Sequence, residues 1–122
     1  MSNSSGGGRN VLIEAVLDLD RRVRYVAMFG EDLRLIAASM QEGTLPYSPK
    51  FIDEVVMPIL VGVLKRLTEY AGELDHCTIS YEKVKIIIYR RMEGFMVVSL
   101  EPGVDMSGFY GRLAKMHNEG KA

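Results

Sequence analysis

The stretch from Ser48 to Gly72 (SPKFIDEVVMPILVGVLKRLTEYAG) constrains the fold more than any other part of the chain. Ser48 is a good N-cap, Pro49 suits the first helical position, and Gly72 can adopt the left-handed conformation that ends a helix. These signals predict one helix of about 23 residues, roughly 35 Å long. Pro58 lies inside it, which predicts either a kink or two helices that meet near Met57.

The apolar residues of this helix cover too much of its circumference for a helix that lies only on one sheet. At about 100° per residue they sweep an arc of roughly 200°, whereas packing on one sheet needs about 100°. Two interpretations stay open, a deeply buried core helix or a helix that also packs on a second copy of the chain. If the helix packs on a second copy, a later strand also contributes to the contact. The predicted dimer contacts are then Met57, Leu60, Val61, Leu64, Cys77 and Ile79.

Length and composition describe one globular domain. The chain has 122 residues, 48% of them hydrophobic and 25% charged, which is ordinary for a soluble domain. Its net charge of −1 argues against a nucleic-acid partner and against a strong attraction to anionic membranes. No apolar run approaches the ~20 residues needed to span a bilayer, and no signal peptide is recognisable. The single cysteine, Cys77, fits a reducing compartment, so we expect a cytoplasmic protein.

The rest of the chain predicts strands and two further helices around a single domain. Residues 1–8 are expected to form a disordered Ser/Gly tail, 9–118 the domain, and 119–122 a frayed end. Helices are predicted over Val11–Leu19 and Met106–His117. The predicted strands are Arg22–Phe29, Leu33–Ser39, His76–Tyr81, Val84–Arg90 and Phe95–Leu100.

This order of elements predicts an α/β (α+β) fold built as a three-layer sandwich. Short connections make the last three strands antiparallel neighbours. Apolar residues occur on both faces of Val84–Arg90 and Phe95–Leu100, which is typical of a sheet covered on both sides. We therefore expect one five-stranded antiparallel sheet with helices on both faces, in the order α-β-β-α-β-β-β-α.

Two segments, VRYVAMFGEDLRLIAAS and ISYEKVKIIIYRR, together with this element order over residues 9–118, resemble the roadblock/dynein light chain family of the profilin-like group. Within that family the two segments are most similar to a group of uncharacterised archaeal roadblock-like proteins. The resemblance implies a non-enzymatic domain that dimerises through its long helix and a neighbouring edge strand. It also implies a scaffold or regulator of a partner protein, with a small Ras-like GTPase as the expected partner.

No catalytic, metal or cofactor site is predicted. The two histidines, His76 and His117, lack neighbours at the spacing of a metal site. Cys77 adjoins His76, but successive side chains of a strand point to opposite faces, so the two do not form a thiolate pair. We therefore expect no enzyme activity, no cofactor and no bound metal.

Three arginines, Arg21, Arg22 and Arg24, cluster at the start of the first predicted strand. In a regular strand Arg22 and Arg24 share one face. They form a candidate patch for a partner or an anion, and a solvated strand end is the alternative.

The rival function is a small-molecule sensor, because PAS- and GAF-like domains also wrap helices around an antiparallel sheet. A sensor needs an internal cavity with a few convergent polar groups. The strands here are mostly aliphatic, and their polar side chains are Thr78, Ser80, Ser99 and the tyrosines.

Overall fold

A computed structural model describes residues 3–41, 50, 52–91 and 94–121 of the chain, with side chains for residues 11–41, 50, 54–91 and 94–117. The predicted helix cap at Ser48 and Pro49 and the predicted loop over residues 42–47 lie outside the described residues. The predicted fold class and element order are confirmed. The elements are helix α1 (Asn3–Leu19), strands β1 (Val23–Phe29) and β2 (Leu35–Met40), helix α2 (residues 52–71), strands β3 (His76–Ser80), β4 (Lys85–Arg91) and β5 (Gly94–Leu100), and helix α3 (Met106–Lys121).

The five strands form one antiparallel sheet in the order β2-β1-β5-β4-β3. Three pairs are the hairpins expected from the short connections, and the pairing of β1 with β5 joins them at the centre. Gly94 begins β5 with a φ of 143°, and a Cβ at this position would collide with the carbonyl oxygen of Phe29. Glycine therefore allows the first residue of β5 to lie directly against the end of β1. Strand β3 lies at one edge of the sheet.

The two faces of the sheet carry separate apolar cores. Helices α1 and α3 cover the first, which we call the two-helix face, and α2 covers the second, the one-helix face. On the two-helix face Ile13, Val16, Phe109 and Leu113 are completely buried against the strands. On the one-helix face the buried residues are Tyr25, Ala27, Phe29, Val56, Leu60, Leu64, Ile86, Ile88, Phe95 and Val97.

Both terminal helices are longer than the sequence predicted. Helix α1 begins at Asn3 instead of Val11, so it includes much of the segment predicted as a disordered tail. The glycines of that segment each cost about 1 kcal/mol in a helix, which is why the pattern placed the start later. Extending a helix that is already docked costs less than nucleating one. Helix α3 likewise continues from His117 to Lys121.

Helix α2 crosses Pro58 without a break. Wide π-helical turns, Ile52–Val56 and Leu60–Leu64, lie on either side of a short α-helical segment, Met57–Ile59, and an α-helical end follows. Proline has no N–H to donate, so the regular hydrogen-bond pattern cannot pass through it. The wide turns redistribute those bonds. The predicted end is confirmed, since Gly72 has a φ of 85° and its N–H donates to the Thr68 carbonyl at 3.2 Å.

The wide turns also set which side chains of α2 face the sheet. Val56, Leu60 and Leu64, spaced four residues apart, are all buried. In a regular helix of 3.6 residues per turn this spacing drifts around the axis. A π turn contains more residues than an α turn, so the mixture brings the three side chains onto one line.

Candidate interaction surface

An apolar groove runs between α2 and the edge strand β3. Its rims are Ile59 and Val63 of α2 and, across from them, Leu74 and Cys77. All four are half-buried, and they enclose a narrow space of about 10 Å³. We call these four residues the β3 groove. It leaves apolar surface open at the edge where the sheet ends.

A larger cavity of about 150 Å³ lies where α2 ends and the chain turns towards β3. We call it the α2-end cavity. Its apolar walls include Val63, Leu67 and Leu74, and the acidic residues Glu73 and Asp75 also line it. The Glu73 carboxylate pairs with Arg90 at 3.2 Å. The cavity adjoins the β3 groove, because Val63, Leu64 and Leu74 line both spaces.

Among the described residues, no strand pairs with the outer side of β3. The Arg90 N–H donates to the Asp75 carbonyl at 3.3 Å and the Tyr81 N–H donates to the Val84 carbonyl at 2.9 Å. Because hydrogen-bonded pairs alternate along an antiparallel ladder, the odd-numbered residues of this segment bond to β4. The N–H and C=O groups of His76, Thr78 and Ser80 therefore point away from the sheet.

Both histidines lie in aromatic contacts beside this edge. The His76 ring stacks on Tyr110 with centroids 4.1 Å apart, and Asp75 accepts a hydrogen bond from the Tyr110 hydroxyl at 3.2 Å. The Tyr89 hydroxyl lies 2.7 Å from Nε2 of His117. Burial, with a smaller contribution from the charge of Arg91, lowers the pKa of His117.

These contacts tie α3 to the sheet. Burial also raises the pKa of the Tyr89 and Tyr110 hydroxyls, which keeps both neutral.

Among the side chains that the structure describes, no three His, Cys, Asp or Glu residues converge as metal ligands do.

The arginines of the predicted patch lie at the opposite end of the molecule, where α1 leads into β1. Arg22 and Arg112 both reach Asp20 at 3.0 Å, and Arg24 pairs with Glu101 at 3.4 Å. Hydrogen bonds from Arg22 hold the pKa of Asp20 well below its usual range.

This cluster also closes the end of α1, because Arg112 donates to the Leu19 carbonyl at 3.0 Å. Two of the three predicted arginines therefore contribute to internal ion pairs, while Arg21 is exposed. The role of these arginines as a patch for a partner or an anion stays a prediction.

Two of the predicted dimer contacts are buried instead of exposed, although both also line the narrow space of the β3 groove, and the dimer contact itself stays a prediction. Leu60 and Leu64 were assigned to the exposed part of the helix, but only 1% and 8% of their surface is exposed, because both pack on the sheet. Met57 and Val61 line neither the β3 groove nor the α2-end cavity. The predicted strand residues are better placed, since Cys77 and Ile79 are half-buried on the one-helix face beside the groove.

The predicted contacts Leu60 and Leu64 also line the groove, and Leu64 lines the cavity as well. Three further helix residues at these sites, Ile59, Val63 and Leu67, were part of the predicted apolar arc but were not chosen. A wheel drawn at 100° per residue assumes a regular α-helix and cannot anticipate the wide turns. A prediction that β3 lies at an open edge of the sheet would have pointed to these residues. The side of α2 next to an open edge lies closest to any strand that is added there.

None of the polar side chains that a sensor would use lines the β3 groove or the α2-end cavity. Thr78 and Ser80 are exposed on the edge strand. Ser99 is completely buried, and its hydroxyl has no hydrogen-bond partner among the described residues, yet it lines neither cavity described above.

In the part of the chain that the structure describes, no helix has the length and apolarity needed to cross a bilayer.

The fold is similar to that of solved bacterial proteins. The gliding protein MglB from Thermus thermophilus superposes with a TM-score of 0.65 at 10% identity, covering 89% of this chain and 78% of that protein. A structure of MglB with a tetrameric arrangement gives a TM-score of 0.66 at 10% identity over the same shares. MglC from Myxococcus xanthus gives 0.53 at 14% identity, covering 82% and 85%. The chain has a roadblock-like fold.

At these identities the likeness concerns the fold. No protein-family model and no curated protein matches the sequence. The comparisons give no support to the narrower likeness to archaeal proteins, which stays a prediction. They do confirm that the roadblock resemblance, first seen in two short segments, extends over the whole architecture.

Proposed function

We propose that this roadblock-like domain is a non-enzymatic interaction module that forms a homodimer in the cytoplasm and scaffolds or regulates a partner protein. The observation that carries the proposal is the open edge of β3 beside the β3 groove. The strand has no Lys, Arg, Asp, Glu or Pro residue, although natural edge strands commonly use such residues to prevent pairing. An outer row of unpaired backbone groups next to apolar side chains is suited to bind another strand.

The other edge of the sheet is less suited to pairing. Strand β2 also lacks charged residues and proline, but its register with β1 shifts between Met28 and Phe29, where Ile36 is the extra residue. A bulge interrupts the regular row of outward groups and twists an edge away from a new strand. Strand β3 pairs with β4 without a shift over its whole length. We therefore assign the dimer contact to β3.

A small Ras-like GTPase is the partner that we propose, on the strength of the roadblock resemblance. One of the similar structures is a protein named for gliding. A role in regulating a partner protein is compatible with this fold. The partner would bind a dimer, because a two-fold assembly joins two sheets and two α2 helices into one wide surface.

Sedimentation at about 100 µM, a concentration at which even a weak specific dimer assembles, tests the first half of the proposal. A monomer at that concentration would contradict it. Calorimetric titration with small Ras-like GTPases from the same genome, loaded with GDP or with a non-hydrolysable GTP analogue, tests the second half. Binding that depends on the nucleotide supports the regulatory role, and absence of binding in both states rejects the GTPase as the partner.

A further inference from the structure

The α2-end cavity has a size and position that suit an aromatic side chain from a second copy of this chain. The α2-end cavity is open to solvent and has polar as well as apolar walls, and its volume of about 150 Å³ is similar to that of a cavity that holds a benzene ring. Tyr81 follows β3 directly and is 58% exposed, although its ring is mostly apolar. By strand alternation from Ile79, its side chain lies on the one-helix face, the same face as the cavity.

The hydrogen-bond phase of β3 limits how two copies can pair. Only His76, Thr78 and Ser80 offer outward N–H and C=O groups, so these residues must form the hydrogen-bonded pairs of a new antiparallel ladder. A two-fold axis at Thr78 pairs all three, with His76 opposite Ser80 of the second copy. An axis at Cys77 or at Ile79 keeps the phase but leaves part of the five-residue strand without an opposite strand residue.

The axis at Thr78 places Asp75 directly opposite Tyr81 of the second copy. This pair is of the non-hydrogen-bonded kind, in which Cα atoms lie about 4.5 Å apart and side chains are closest. Asp75 lines the α2-end cavity together with its neighbours Glu73 and Leu74. The register therefore delivers an exposed aromatic ring to the mouth of a cavity of matching size.

We propose that two copies pair through β3 with Thr78 on the two-fold axis, and that Tyr81 of each copy enters the α2-end cavity of the other. The ring would contact Val63, Leu67 and Leu74, while its hydroxyl stays near Glu73 at the mouth of the cavity. Each dimer contains this contact twice, because a two-fold interface repeats every pair. The inference rests on the proposed homodimer and adds its register and its anchoring residue.

Cysteine cross-linking tests the register. With the axis at Thr78, Cys77 lies opposite Ile79 of the second copy in a non-hydrogen-bonded pair, where Cβ atoms are about 5 Å apart and a disulfide needs only a small adjustment. We expect the Ile79→Cys variant to form a covalent dimer under mild oxidation on a non-reducing gel. The wild type, with its single cysteine, and the double variant Ile79→Cys/Cys77→Ser should stay uncrosslinked.

The other outcomes overturn the register. Rapid cross-linking of the wild type would place the axis at Cys77, and cross-linking of the double variant would place it at Ile79. A dimer by sedimentation in which no variant cross-links would remove β3 pairing altogether. A chain that is monomeric at about 100 µM would reject the proposed function itself, which is a different result from a dimer with another register.

Tyr81→Ala tests the anchoring contact. Because an aromatic side chain in a fitting pocket is a common hot spot and each dimer loses two, we expect the dimer Kd to rise by about 30-fold. Leu35→Ala is the matched control, since Leu35 is 53% exposed beside the other edge of the sheet, and its Kd should not change.

A fluorescence measurement locates the side chain at position 81. The chain has no tryptophan, so Tyr81→Trp introduces a single reporter. Its emission should be blue-shifted in the dimer and shift to the red on dilution. Emission typical of exposed tryptophan at concentrations where the dimer persists, or equal Kd values for Tyr81→Ala and wild type, would overturn the cavity assignment.

Discussion

The two faces of the sheet differ in how completely the chain covers them. On the two-helix face, α1 and α3 bury a continuous core in which Ile13, Phe109 and Leu113 have no exposed surface. On the one-helix face, α2 covers the middle strands and leaves apolar side chains half-buried at the β3 groove. Both cores have half-buried apolar side chains at their margins, but on the one-helix face these lie beside the edge strand β3, which no described strand covers.

The largest effect that we expect is on the one-helix face, at its buried centre. Leu64→Glu would place a carboxylate against the sheet, and burying an unpaired charge costs several kcal/mol. The variant should lose its cooperative unfolding transition in circular dichroism at every protein concentration. Val61→Glu is the matched control, because Val61 is 42% exposed on the same helix, and it should change stability by less than about 1 kcal/mol.

A folded Leu64→Glu monomer would contradict this expectation and would fit the sequence-based assignment of Leu64 to the dimer contact. The sequence placed the strands within about two residues and the end of α2 at Gly72, because short apolar runs, hairpin turns and helix caps are local signals. It could not predict which side chains of α2 face the sheet, because the number of residues per turn changes at the wide turns. Those turns depend on Pro58 and on packing against the sheet. The assignment of Leu60 and Leu64 to the exposed arc failed for that reason.

Contacts between distant segments were also beyond the sequence. Nothing local pairs β1 with β5 or brings Arg112 to Asp20. The face of the last helix was predictable, because Met106, Phe109, Tyr110, Leu113 and Met116 follow a regular helical period and all pack on the two-helix core. Local periodicity therefore predicts which side chains a regular helix buries. It does not predict the buried face of an irregular helix such as α2.

The next largest effect is on the two-helix face. Phe109→Ala removes a completely buried ring and should lower the free energy of unfolding by about 3–5 kcal/mol. The loss should not depend on protein concentration, because this face has no role in the proposed dimer. Urea denaturation at two concentrations measures it. A loss that varies with concentration would mean that the two-helix face also takes part in assembly.

A smaller effect concerns the pH dependence of the two-helix face, where His117 contacts Tyr89. Because the pKa of His117 is lower in the folded chain than in the unfolded chain, the unfolded state binds more protons as the pH falls below about 6.5. Stability from this group is complete above that pH and is lost as the pH falls towards the folded-state pKa. One proton limits the slope to about 1.4 kcal/mol per pH unit.

Urea denaturation of the wild type and His117→Gln between pH 5 and pH 8 measures this contribution, since glutamine offers Tyr89 a polar partner that does not titrate. The wild type should lose more stability than the variant on acidification. Parallel pH profiles would show that His117 does not report on the packing of α3.

The smallest effect should come from Pro58→Ala, which tests whether the wide turns of the one-helix face have a packing role. Proline inside a regular helix costs about 3 kcal/mol relative to alanine, so its removal would stabilise a simple α-helix by a similar amount. Here the turns that accommodate Pro58 also align Val56, Leu60 and Leu64 on the sheet. Tightening them would rotate these side chains out of line, and the lost packing should offset the new hydrogen bond to within about 1 kcal/mol. A gain close to the full value in urea denaturation would show that the sheet tolerates a regular α2 equally well, and that the irregular helix is imposed by proline alone.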